Sequence, residues 1–66
     1  MRDSIEEYLE SYGRSFREKR VAAKMTQLGV ARRLHISQAI ISHIETGRML
    51  PPRNIEEALI KIYEGG

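Results

Sequence analysis

Gln38, Ala39, Ser42, His43 and Thr46 stand in one short run, at intervals that place them along one side of a helix. At about 100° per residue, Ala39, Ser42, His43 and Thr46 cluster together while Ile41 and Ile44 point the other way. Gln38 lies at the amino-terminal end of that run, beside the partial positive charge that attracts phosphate. Amide, hydroxyl and imidazole groups in this order can exchange hydrogen bonds with a ligand, but they are not a catalytic set. No nucleophile–base–acid constellation is visible, and no glycine-rich phosphate loop precedes a helix. No carboxylate lies at a metal-ligand spacing from either histidine, His35 or His43. Cysteine is absent, which removes disulfides and thiolate metal sites. Non-covalent recognition is therefore the expected chemistry, with no enzyme activity, metal or cofactor.

The residues that would carry this face outward lie on either side of it. Thr26 to Gly47 reads TQLGVARRLHISQAIISHIETG, two short helical patterns around a brief break. Ala31 falls midway along the first, where a larger side chain would push the two helices apart. Leu34, Ile36, Ile41 and Ile44 close a small core around the turn, each worth roughly 1.5–3 kcal/mol on burial. This is the geometry of a helix-turn-helix over residues 27–46, a motif that sets its second helix, here 38–46, into the DNA major groove.

Charge runs the same way. The net charge is +2, but it is unevenly spread. Residues 14–48 carry Arg14, Arg17, Lys19, Arg20, Lys24, Arg32, Arg33 and Arg48 against only Glu18 and Glu45, a balance of +6. Residues 1–13 carry −3, from Arg2 against Asp3, Glu6, Glu7 and Glu10. Residues 49–66 carry −1, from Arg53 and Lys61 against Glu56, Glu57 and Glu64. A basic segment between acidic ends is the footprint of a polyanion partner; on charge alone, a solvated surface explains it equally well.

The periodicity is helical throughout and shows no strand-like alternation. Ser4 with Glu7 reads as a capping box for a first helix, whose apolar stripe is Ile5, Tyr8, Leu9 and Tyr12. Gly13 is placed to end it. A second helix follows from about Arg14 to Lys24, with Phe16 and Ala23 inward. Thr26 caps a third helix presenting Leu28, Val30, Ala31 and Leu34, and Ser37 caps a fourth in the same way. Gly47 closes the fourth in the left-handed conformation. Pro51 and Pro52 forbid helix across the next connection. Asn54 with Glu57 opens a last helix carrying Ile55, Leu59 and Ile62, with Tyr63 beside them. Gly65 and Gly66 read as a frayed end or a truncation. The expectation is an all-α fold, a compact bundle of about five short helices forming a single domain over residues 1–66. No apolar run approaches the roughly 18 residues that span a membrane, and nothing resembles a signal peptide. A cytoplasmic chain with no membrane partner is expected.

The combination Arg20, Gln27, Ala31, Leu34, Ile36, Ser37, Gln38, Ile41, Ile44, Glu45 and Gly47, with Arg48 following, resembles the lambda-repressor and Cro type of helix-turn-helix regulator, the XRE family. The resemblance runs from about Arg14 to Tyr63. It implies a lambda-repressor-like DNA-binding domain with an extra N-terminal helix. Gln38, Ala39 and His43 match positions that read base edges. A glutamine can bond adenine bidentately, an alanine methyl can touch a thymine methyl, and a histidine can donate to guanine. Gln27 matches a residue that bonds a DNA phosphate and braces the first glutamine of the recognition helix. Ser37, Ser42, Thr46, Arg48 and Arg53 match backbone contacts. Arg20 and Glu45 match an internal salt bridge between the helix before the motif and the recognition helix.

There are also departures from the family pattern. His35 occupies a turn position usually filled by glycine. Gly29 sits inside the first helix of the pair, where relatives often carry glutamate. Many relatives have another helix after the motif, a role the N-terminal helix is free to take over. Ile40 lies between the buried and outward sides, either half-buried or against a thymine methyl. Arg32 and Arg33 are either a solvated face or a source of phosphate contact. Tyr8, Tyr12 and Phe16 are core residues or a dimer contact.

In function, the resemblance implies a sequence-specific double-stranded DNA-binding transcriptional regulator, a repressor, acting as a homodimer on a pseudo-palindromic operator. Its setting would be the nucleoid of a bacterium or archaeon, or a phage-encoded system. The alternative is a protein-interaction module on the same fold, such as an antitoxin or a phage or restriction control protein. The acidic flanks and the apolar first helix motivate that second reading.

Overall fold

A computed structural model describes residues 3–65. Met1, Arg2 and Gly66 lie outside them, and with them the reading of Gly66 as part of a frayed end. Four helices follow one another: α1 (Ser4–Ala22), α2 (Gln27–Leu34), α3 (Gln38–Glu45) and α4 (Arg53–Glu64). No strand is present among the described residues. The fold is all-helical as expected, with one helix fewer than the periodicity suggests.

The difference lies at Gly13. It does not end a helix; α1 passes through it without interruption. At 1.5 Å per residue α1 is about 28 Å long, against a longest molecular dimension of 37 Å. Gly13 is buried, and a Cβ built on it would lie 2.3 Å from the Ile44 carbonyl oxygen and 2.9 Å from that of Glu45. The glycine is there because the end of α3 presses on the α1 backbone.

Each helix has a cause for its ends. The α1 cap is Asp3, one residue before the expected Ser4; its carboxylate accepts from the Glu6 amide at 2.8 Å. Thr26 caps α2 by accepting from the Gly29 amide at 3.0 Å. Ser37 occupies the α3 cap position but makes no side-chain cap bond, contrary to expectation. The α4 helix begins at Arg53 behind Pro52, so Asn54 lies inside it. Proline suits this entrance, since its fixed φ is compatible with helix initiation and the first amide needs no intrahelical partner.

Helices α1, α2 and α3 stop in the same way. Lys24, His35 and Gly47 take left-handed φ values of 59°, 57° and 80°. Behind each runs a pair of reversed bonds. Met25 donates to Arg20 and Lys24 to Val21; Ile36 donates to Ala31 and His35 to Arg32; Arg48 donates to His43 and Gly47 to Ile44. These are Schellman closures, which satisfy carbonyls that a helix end would otherwise orphan.

The core collects Phe16 from α1, Val30 and Ala31 from α2, Ile41 and Ile44 from α3, and Leu59 from α4. Met25, Leu34, Ile36, Ile40, Ile55 and Tyr63 pack around it, half-buried. Helix α3 lies against both α1 and α2, and α4 against α1. Leu28 is 43% exposed, not inward as expected. The inner face of α2 is centred on Gln27, Val30, Ala31 and Leu34, and Leu28 stands about 100° round from its neighbour Gln27, away from that centre.

The extended amino-terminal half of α1 packs only through its later turns. Tyr12 meets Phe16 edge-on at 5.2 Å, and its hydroxyl donates to Glu56 at the start of α4. Tyr8 stacks on Tyr12 at 5.9 Å but is 60% exposed, and Ile5 is 69% exposed. Ile5 and Tyr8 thus stand outside the core, while Leu9 is half-buried and Tyr12 packs against the core. A groove of about 430 Å³ remains open between α2 and α4, lined by Arg33, Leu34, Ala58, Lys61, Ile62 and Gly65.

Candidate nucleic-acid interface

Burial divides α3 along its length. Ile41, Ile44 and Glu45 are buried; Gln38, Ala39 and His43 are exposed, Thr46 follows them outward, and Ser42 is half-buried. Ile40 is half-buried and packs against the core. The outward side is polar and lies on a base that three helices hold.

Glu45 organises that base. It is only 6% exposed. Arg20 donates to it twice, from Nε to Oε2 at 2.7 Å and from Nη2 to Oε1 at 3.1 Å. The third arm of Arg20, Nη1, donates to the Met25 carbonyl at 2.9 Å. One guanidinium thus ties the end of α1, the α1–α2 turn and the end of α3. The hydrogen bond to Glu45 raises the Arg20 pKa, opposed by desolvation and helped by the carboxylate charge. A buried carboxylate needs this pairing, because an uncompensated charge there is costly.

A further hydrogen bond at Glu45 goes beyond what the sequence led one to expect. Gln27 Nε2 donates to Glu45 Oε1 at 3.0 Å, and Gln27 Oε1 accepts from Gln38 Nε2 at 3.4 Å. The relay Gln38 to Gln27 to Glu45 joins the first residue of α3 to its last through the first residue of α2. A signal for it exists in the sequence: a buried carboxylate offers about four acceptor sites, more than one arginine fork fills.

The remaining candidate residues surround this base. Ser37 is exposed at the head of α3 with its hydroxyl unused by the cap. The Thr46 hydroxyl donates back to the Ser42 carbonyl at 2.8 Å, so its hydrogen is already engaged within the helix. Arg48 is exposed just past the α3 closure, and its amide is held by the His43 carbonyl at 2.8 Å. Arg53 is almost fully solvated and pairs with Glu57 one turn on, at 3.1 Å. Such an exposed pair is worth little and is easily exchanged for another anion. His35 sits at the α2 closure as a turn residue, exposed. Arg32 and Arg33 occupy the last turn of α2, where positive charge complements the helix dipole. Among the described residues no helix is long and apolar enough to cross a membrane.

The arrangement is therefore an α2–turn–α3 unit with a rigid floor, an exposed polar face and cations on its margins. Comparison with curated proteins and with solved structures gives no match to this chain. A helix-turn-helix domain family model matches residues 11–65, which cover all of α2, α3 and α4 and most of α1. The chain belongs to the helix-turn-helix domain family.

Proposed function

We propose that this chain is a sequence-specific double-stranded DNA-binding transcriptional regulator that lays α3 in the major groove and acts as a repressor. The carrying observation is the division of α3. Ile41, Ile44 and Glu45 are locked inward while Gln38, Ala39 and His43 stand exposed along one side. In this reading those three meet base edges. Gln27, Ser37, Ser42, Arg48 and Arg53 meet the backbone, with Thr46 beside them as a helix-bonded wall.

The balance of +6 over residues 14–48 supplies attraction to a polyanion. Repression needs no further machinery, since occupancy of a site excludes other proteins from it. A homodimer would place two α3 helices about 34–36 Å apart in successive grooves of a pseudo-palindrome. The chain would act as one domain over residues 1–66, in the nucleoid of a cytoplasm, without a cofactor. The test is selection from a random duplex pool at several salt concentrations. An enriched sequence with two-fold symmetry is expected. A pool that returns no enrichment overturns the reading.

A second reading has its own observation. Ile5 and Tyr8 are exposed on the acidic half of α1, which suits a protein partner of the antitoxin or control-protein kind. Loss of DNA binding on Gln38→Ala, with a stoichiometric partner retained, would favour it.

A further inference from the structure

We propose that Arg14 and Arg17 on α1 form an additional backbone-phosphate site, holding the DNA strand that passes the carboxyl-terminal end of α3. This rests on the DNA-binding reading and extends its footprint beyond the helix-turn-helix itself. The two arginines are three residues apart, on neighbouring turns of one helix face, and both are exposed. They open onto a shallow notch of about 320 Å³ whose other walls are Glu10, Glu45 and Thr46. Thr46 follows the last turn of the outward face of α3, so the notch continues the DNA-facing side.

The major groove is about 12 Å wide and an α-helix with side chains about 10–12 Å across. Groups flanking the outward face of a seated helix therefore meet the phosphates of the groove walls. At this end α3 has little to offer them. The Thr46 hydroxyl hydrogen is engaged by the Ser42 carbonyl, and the last carbonyls of a helix carry the negative end of its dipole. Past this end the chain itself supplies Arg48, one of the proposed backbone contacts; within the notch the cations are Arg14 and Arg17, brought from another element. A guanidinium fork matches phosphate geometry and keeps its charge at any relevant pH. Glu45 does not cancel them, because Arg20 and Gln27 already occupy its oxygens. Glu10 lies on the same notch and tempers its potential without removing the excess of arginine.

The experiment measures binding by fluorescence anisotropy on the duplex that the wild-type chain selects, across a salt series, for the wild-type chain and the Arg14→Gln/Arg17→Gln double variant. Removing one phosphate interaction lowers the slope of log Kobs against log salt by about 0.9, so the variant slope should be shallower by about 0.9–1.8. Its selected sequence should be unchanged, since phosphate contacts carry no base information. Circular-dichroism melting should match the wild type. Should the double variant melt early, ethylation interference with the wild-type chain locates the contacted phosphates directly. Interference confined to phosphates around the residue 27 and 37 end of the motif then overturns the site. A folded variant with the wild-type slope overturns it too, while leaving the DNA reading intact. A wild-type chain that selects no sequence and binds without salt dependence removes both.

Discussion

Gln27 donates to Glu45 at 3.0 Å while accepting from Gln38 at 3.4 Å, so a carboxylate at the far end of α3 sets which way the amide at its near end is turned. An ionised carboxylate only accepts, so Gln27 must present Nε2 to it and Oε1 to Gln38. Gln38 must then spend one N–H inward. It keeps its second N–H and its Oε1, the donor–acceptor pair that the major-groove edge of adenine takes.

Replacing Gln27 by methionine keeps much of the volume and removes this relay. If Gln38 reads a base pair as proposed, discrimination at that pair should weaken by about 1–3 kcal/mol, with the other positions unaltered. Repeating the duplex selection with Gln27→Met measures it. A position-by-position preference identical to the wild type would show that Gln38 orients itself unaided.

Arg20→Ala should be among the most destabilising single changes in the chain. It leaves the Glu45 side chain, 2% exposed, without its cation, at a cost of about 3–5 kcal/mol. A domain of this size has little stability to spare, so the variant should be largely unfolded at about 37 °C by circular dichroism. Arg20→Lys should fall between the two, since lysine supplies charge but not the fork to both oxygens and the third arm to Met25. Retention of the wild-type urea midpoint by Arg20→Ala would contradict the geometry.

Gly13→Ala separates two meanings of glycine. In an ordinary helix interior the change would add about 0.5–1 kcal/mol of stability. Here a Cβ would stand 2.3 Å from the Ile44 carbonyl oxygen, which is backbone and cannot turn aside. The expected result is a loss of about 1–3 kcal/mol through forced separation of α1 and α3, read from urea unfolding. This position also marks a limit of the sequence. Periodicity makes both flanks of Gly13 helical, but a glycine that stops a helix and one that admits a neighbouring backbone look alike until the neighbour is placed. The same holds for Ile5 and Tyr8. Their spacing makes a stripe, and only the tertiary arrangement shows that the stripe runs past the body it would pack on.

His35→Gly should stabilise the chain. A left-handed backbone costs an L residue roughly 1–2 kcal/mol, offset by the greater freedom of glycine in the unfolded chain, for a net gain of up to about 1 kcal/mol. Paired urea titrations would read it as an upward shift of the midpoint, and a downward shift would mean that the imidazole makes a contact worth more than the strain. The His35 closure is legible because the helix-turn-helix pattern demands a left-handed residue there. The equivalent closure at Lys24, φ 59°, is not. Lysine carries no turn signature, and its conformation is imposed by the way Arg20 and Met25 tie α1 to α2. The Arg20 and Glu45 pair is legible through the family resemblance alone: Arg20 ends the charged run Arg17, Glu18 and Lys19, where nothing local marks it for burial, and the pairing appears only once α1 and α3 are packed.

Tyr63 offers a pH-dependent test. Its buried hydroxyl has no hydrogen-bond partner among the described residues. Burial pushes its pKa up to about 12, with the negative charge of Glu45 adding and Arg20 opposing. Tyrosine in an unfolded chain titrates near about 10. Between about pH 10 and 12 the unfolded state therefore binds fewer protons than the folded one, and stability falls as pH rises; below that window the group contributes no pH dependence. Tyr63→Phe removes both the orphan hydroxyl and the titration. It should be as stable as the wild type or more so at neutral pH, by up to about 1 kcal/mol. It should also lose less stability between about pH 9 and 11, the remaining tyrosines being common to both proteins. Urea midpoints at those pH values decide the matter: a variant weaker than wild type at neutral pH, with an unchanged alkaline slope, would mean that the hydroxyl is satisfied in solution and that its burial is shallower than the packing around Arg20 and Glu45 requires.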